Sequence, residues 1–241
     1  MIEANATNKF DGIKLLSKMP KESAKAVFFD PQYRGILDKM QYGNEQTGKG
    51  RRRASLTQMS EEVIVQFIQL IDRVLCKGAY LFLWLDKYEL CEGSTLRWLR
   101  GTSLQIVDMI VWNKMRNGTG YRSRRRSEYL LVIQKPPCKP LSTWHDRSIP
   151  DVWEEKLPTK KDLVKQDKLQ SGEEVHPHRK PLELQKRLIL AVTNENDTVC
   201  DFASGSYSVM DACKETNRRF VGCDIAFGET WDVETNICRR K

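Results

Sequence analysis

Apolar positions along the chain fall into two patterns: short continuous runs, and longer stretches at helical spacing. Ala26-Val27-Phe28-Phe29, Ala79 to Leu85 (AYLFLWL), Leu104 to Trp112 (LQIVDMIVW) and Glu128 to Gln134 (EYLLVIQ) are of strand length. Runs that are continuous rather than alternating predict strands covered on both faces. Between the first two, Val63, Ile64, Phe67, Ile68, Ile71, Val74 and Leu75 recur at helical spacing. Ser60 is placed to cap that helix, Glu61 and Glu62 sit by the positive end of its dipole, and Gly78 is expected to stop it. A short helix carrying Ile13, Leu15, Leu16 and Met19, ended by Pro20, reads as packing, and 90–100 reads as a helix interrupted near Gly93. Later, Leu182 to Val192 (LELQKRLILAV) is amphipathic with Pro181 at its first position. It is followed by a strand at Thr198 to Phe202, a small-residue turn, a helix at Val209 to Glu215 and a strand at Arg219 to Asp224. Alternating strands and helices predict an α/β fold, and the length fits one domain over residues 1–241.

Three stretches break these periods. Residues 34–58 contain four glycines and the triplet Arg51-Arg52-Arg53, and read as a long arm leaving directly from the end of the first strand. Residues 113–127 carry Lys114, Arg116, Arg122, Arg124, Arg125 and Arg126 with one aromatic, a basic loop between two buried strands. Residues 135–174 hold five prolines, many lysines and the tryptophans Trp144 and Trp153. That insertion reads either as a sequence-reading element or as a covering loop whose tryptophans pack on the body. The net charge of +8 favours a polyanionic partner, and the two basic stretches are expected to meet its phosphates. Seven cysteines form no C-x-x-C pair, so neither a disulfide framework nor a thiolate zinc site is expected. His176 and His178 lack companion ligands, so no metal is expected. With no apolar leader at Met1 to Asn5 and no membrane-length apolar run, the sequence predicts a soluble intracellular protein.

Chemistry enters at Asp30-Pro31-Gln32-Tyr33, directly after the first strand. Ligands of open α/β sheets bind at the carboxyl ends of strands. There, a carboxylate and a proline carbonyl suit the two hydrogens of an amino group, and a tyrosine ring suits a flat heterocycle. Taken alone, the tetrapeptide is also an ordinary turn. A second signal lies in the last third: the strand ending at Asp201, the turn Ala203-Ser204-Gly205-Ser206, a helix, and Asp224 about 20 positions on. This is the pattern of a Rossmann-type mononucleotide half, with Asp224 placed for ribose hydroxyls. The G-x-G-x-x-G of a dinucleotide site is absent.

Asp30-Pro31-Gln32-Tyr33, His176-Pro177-His178-Arg179-Lys180-Pro181 and Asp201 to Ser206 (DFASGS), in this order, resemble the D-P-P-Y, H-P-x-x-K-P and D-x-F-x-G-S-G motifs of amino-group DNA methyltransferases. The order is similar to that of their permuted β group, and the likeness covers roughly residues 10–226. It implies a class I S-adenosylmethionine-dependent methyltransferase sheet, Rossmann-like, with helices on both faces. It also implies methyl transfer to N6 of adenine in DNA, with N4 of cytosine or adenine in RNA as alternatives, by a cytoplasmic enzyme of bacterial or phage origin that sometimes pairs into dimers. By position, Asp30 and Pro31 would accept the amino hydrogens of a flipped or single-stranded base, and Tyr33 would stack on it. Phe29, Asp30, Asp201, Phe202, Ala203, Ser204, Gly205 and Asp224 would line the cofactor, and His176, Lys180 and Pro181 would close over it. Gln32, Arg34, Arg51, Arg52, Arg53, Lys114, Arg122, Arg124, Arg125 and Arg126 would face DNA.

Two positions depart from the pattern. Gln32 stands where a second proline is usual. Tyr207 stands where a second glycine is usual, and is expected to re-route the turn or weaken cofactor binding; had it closed the pocket, the chain would be a DNA-binding module without catalysis.

Overall fold

The computed structural model describes residues 3–32, 58–118, 122–158, 179–228, 230–232 and 237–239. Its strands are β1 (Ala24–Phe29), β2 (Leu75–Leu85), β3 (Gln105–Asn113), β4 (Ser127–Gln134), β5 (Val152–Glu154), β6 (Thr198–Asp201) and β7 (Arg219–Gly222). They form one sheet in the order β5-β3-β4-β2-β1-β6-β7. β4 is antiparallel to β2 and β3, and the remaining neighbours are parallel. Near the C-terminus, β8 (Thr230–Asp232) and β9 (Ile237–Arg239) form a separate antiparallel pair. The helices are α1 (Gly12–Lys18), α2 (Glu61–Val74), α3 (Lys87–Cys91), α4 (Ser94–Trp98), α5 (Pro140–Thr143), α6 (Leu182–Val192) and α7 (Ser208–Glu215).

Alternation along β1 divides the core. Val27 and Phe29 join the cluster under α1 and α2, which includes Leu16, Ile64, Phe67, Ile68 and Ile71. Ala26 and Phe28 face the opposite cluster, where α6 and α7 contribute Leu184, Leu188, Val209 and Met210. Every residue of β1 except Lys25 is buried, as a strand covered on both faces requires. Burying each large apolar side chain contributes roughly 1.5–3 kcal/mol, so the two clusters are the main support of the sheet.

Several boundaries differ from expectation. α2 ends at Val74, not at Gly78, because Leu75 passes straight into β2. Gly78 lies inside that strand with φ 77°, where the β1–β2 register slips from Ala24↔Leu75 to Ala26↔Tyr80. Pro181 is the residue before α6 rather than its first member. In the described part of the 135–174 insertion, β5 extends the sheet beside β3, with Val111 opposite Val152. Trp144 and Trp153 pack against the α6/α7-side cluster, so this portion covers the body. No helix among the described residues is long and apolar enough to cross a membrane.

Candidate active site

From β1 the chain crosses through α2 to β2, and from β6 it crosses through α7 to β7, on the other face and in the other direction along the sheet. β1 and β6 are neighbours with Phe28 opposite Asp201, so the strand order reverses between them. A crevice opens at the carboxyl ends of strands at such a switch point. A cavity of about 350 Å³ occupies it, lined by Asp30 and Gln32 on one side and by Asp201 to Ser206 on the other. Two segments about 170 residues apart in sequence thus face one space.

Asp30 does not stand alone. The Lys180 ammonium, just before α6, donates to Asp30 Oδ2 at 2.8 Å and to Glu128 Oε2 at 2.9 Å. Glu128 Oε1 in turn accepts from Lys114 at 2.7 Å. The Lys180 ammonium also lies 5.1 Å from the centre of the Trp84 ring. Burial works against the charge on Glu128, yet Lys180 and Lys114 hold its carboxyl down at about 2. Burial equally opposes charge on Lys180, and Asp30 with Glu128 more than reverses it, raising the ammonium above its ordinary value.

On the opposite wall, burial pushes the Asp201 carboxyl up to about 8, against the hydrogen bond from Ala203 N at 3.1 Å. Asp224 Oδ2 accepts from Gly205 N at 2.9 Å, while its Oδ1 accepts from Ala226 N and Phe227 N. This carboxylate ties the glycine turn to the loop after β7 and keeps acceptor capacity on Oδ2 toward the cavity. Phe29 and Phe202 supply apolar wall, and Ala203, Ser204 and Gly205 line the turn. Pro31 and Pro181 are buried beside the site without lining the cavity.

Tyr207 is not in the cavity. With φ 55° and ψ 28° it adopts the left-handed conformation a glycine would supply, ahead of α7. Its ring packs edge-on against Phe220, and its one hydroxyl hydrogen is shared between Asn8 O at 2.7 Å and the more distant Phe227 O at 3.1 Å. Burial and these bonds offset the roughly 1–2 kcal/mol strain of a non-glycine residue at positive φ. The side chain leaves the cavity open, so the alternative in which Tyr207 closes the pocket does not hold. Tyr207→Phe is expected to lower stability by about 1 kcal/mol, seen as a fall in Tm of roughly 2–4 °C. A variant melting with the parent would show that the hydroxyl contributes nothing.

Of the residues expected to face DNA, Gln32 lines the cavity, and its carbonyl accepts from Met59 N at 2.7 Å. Lys114 is held by Glu128, and Arg125 by Asp86 at 3.3 Å and the Tyr88 ring, so both cations are engaged within the protein. Arg122, Arg124 and Arg126 are exposed on a hairpin-like extension of β3 and β4, where Lys114 N donates to Arg126 O and Gly118 N to Arg125 O. Tyr33, Arg34, Arg51, Arg52, Arg53 and His176 lie outside the described residues. The sequence reading missed Trp84, Glu128 and the start of α1. Asp11, Gly12 and Ile13 line the cavity, although that helix read as packing alone. Its signal was Gly12: a Cβ there would lie 2.4 Å from Phe202 O, so only glycine lets the helix approach the β6 turn.

The model of a DNA methylase family, N6/N4 type, matches residues 24–228. The chain belongs to the N6/N4 DNA methylase family. The methylase is 53% identical over 226 residues to Type II methyltransferase M.HhaII of Haemophilus parahaemolyticus, covering 93% of this chain and 92% of that one. It is 25% identical over 245 residues to DNA adenine methyltransferase YhdJ of Escherichia coli (strain K12), covering 92% and 79%. Among solved structures, the fold is similar to that of the cytosine-N4-specific PvuII DNA methyltransferase, with a TM-score of 0.65, 14% identity and coverage of 93% and 85%. It is also similar to the M1.HpyAVI–SAM complex, with a TM-score of 0.58, 17% identity and coverage of 91% and 92%. The methylase thus has the class I methyltransferase fold, and its activity class is methylation of an exocyclic amino group in DNA.

Proposed function

We propose that the methylase transfers a methyl group to N6 of adenine in DNA. The methyl donor is S-adenosylmethionine. The observation that carries the reading is one cavity bounded by Asp30 and by the Asp201–Ser206 turn. Its walls fit that donor: Asp224 offers an acceptor to ribose hydroxyls, and the Phe29 and Phe202 side favours a flat apolar ring. When bound there, the donor supplies an electrophilic methyl.

The protein's own part is to prepare the nucleophile. An aromatic amino group keeps its lone pair in the ring π-system and is a poor nucleophile. Asp30 and the Pro31 carbonyl accept its two hydrogens, draw the nitrogen toward tetrahedral geometry and aim the lone pair across the crevice. Lys180 holds Asp30 Oδ2, which leaves Oδ1 to the amino group. The amino proton becomes acidic only as the nitrogen is methylated, so an ordinary carboxylate suffices to receive it. Tyr33 stacks on a base that has left the duplex. The likeness to YhdJ supports adenine over cytosine. Methyl transfer from labelled donor to unmethylated DNA, followed by nucleoside analysis, decides: N6-methyladenine is expected, and N4-methylcytosine as the product would replace this reading.

In the same reading residues 1–241 act as one catalytic domain that can pair with a second copy, and residues 34–58, 113–127 and 135–174 meet the DNA. Replacing Arg122, Arg124 and Arg126 by Gln is expected to reduce the slope of log K against log salt by about 0.9 for each phosphate that the variant no longer neutralises. An unaltered slope would remove that hairpin from the DNA interface.

A further inference from the structure

Four side chains from separate parts of the chain form an alternating line of charge: Asp30 after β1, Lys180 before α6, Glu128 in β4 and Lys114 after β3. The line rests on two indoles. Lys180 lies over Trp84 and Lys114 lies 5.7 Å from the centre of Trp112, while the two rings pack edge to face at 6.0 Å. Trp112 and Glu128 are opposite each other in the β3–β4 ladder, which fixes the carboxylate between the two ammoniums.

We infer that Glu128 is a positioning residue for methyl transfer. Held by Lys114, it takes a second donor of Lys180 and so keeps that ammonium on one oxygen of Asp30, with the other oxygen left for the target amino group. This rests on the methyl-transfer reading above. A lysine ammonium is a mobile point charge on a four-carbon stem with three donors. Facing only Asp30, it would move to bridge both carboxylate oxygens and compete with the amino group. Glu128 prevents this by pulling from the opposite side, at 2.9 Å against the 2.8 Å to Asp30. The carboxyl of Asp201, on the opposite wall, feels the Lys180 ammonium across the crevice but makes no hydrogen bond to it among the described residues. Lys114 stands where β3 runs into the basic hairpin, so the line ends at the surface proposed to meet DNA.

The test is a cycle of wild type, Glu128→Gln, Lys180→Met and the double variant. Single-turnover methyl transfer is measured with saturating S-adenosylmethionine and unmethylated DNA, beside separate cofactor and DNA titrations. Glu128→Gln is expected to slow transfer by roughly 10–100-fold, the size of effect that slight misplacement of a reacting group produces. Both dissociation constants should stay within about twofold, and Lys180→Met should add less than about threefold once Glu128 is gone, because the two act as one unit. An unchanged rate, losses that multiply, or a rate loss matched by equal losses in both affinities and in Tm would each overturn the inference. Should Glu128→Gln not fold, Lys114→Met takes its place in the same cycle under the same criteria. If wild type itself methylates no base in DNA, the functional reading fails; if wild type is active and Glu128→Gln equals it, only the positioning role fails.

Discussion

Asp30→Ala is expected to reduce methyl transfer by about 10³-fold or more, roughly 4 kcal/mol of transition-state stabilisation, while leaving DNA affinity nearly unchanged. The substitution removes the acceptor that draws the amino nitrogen out of conjugation, an interaction that strengthens only as the nitrogen becomes tetrahedral. Binding should persist because Lys180 keeps its partner Glu128, and the opposite wall is built from β6 and β7, which Asp30 does not support. The measurement is single-turnover transfer to unmethylated DNA beside a DNA titration. A variant that retains a tenth of the parent rate would exclude Asp30 from the chemistry.

The second large effect is on stability. Asp201 is 7% exposed, and its carboxyl is raised to about 8, so the ligand-free folded protein holds a proton there that the unfolded chain releases near pH 4. The sign follows from linkage: a carboxyl raised by folding makes the folded state lose stability as pH climbs from about 4 to about 8, and nothing further is lost above that. The full span is on the order of a few kcal/mol. Asp201→Asn retains the oxygen that accepts from Ala203 N and discards the ionisation, so it should remove this limb. Urea unfolding of both proteins without ligand, at pH 5.5, 7 and 9, is expected to show Asn gaining on Asp at each step. A difference independent of pH would mean that Asp201 is ionised in the folded protein at all three values.

Long elements were legible in the sequence because burial on both faces leaves an unbroken apolar run and burial on one face leaves helical spacing, as in β2 and α2. β5 was not: three residues with exposed Val152 and Glu154 carry no pattern, and their strand geometry comes from hydrogen bonds to β3. The two walls of the site were each legible, since Asp30 and Gly205 follow strands directly. Their meeting depended on β1 lying beside β6, which no local pattern encodes. The same holds for the line from Asp30 to Lys114, whose members come together only because β4 runs antiparallel between β2 and β3. Tyr207 misled for another reason. Glycine is the usual answer to a left-handed turn, but a buried tyrosine with its hydroxyl paired is also one.

The hydrogen bond from Met59 N to Gln32 O joins the two ends of the stretch that separates β1 from α2. Chain departing after Gln32 returns to the same point, so whatever sequence lies between is hung from a closed gate. That stretch can therefore change in length without moving the carboxylate two residues before Gln32. Loop-closure cost rises only about 0.6 kcal/mol for each doubling of length, so even large exchanges weigh little on the fold. Variation beyond this contact and constancy before it are thereby kept apart by a single backbone bond.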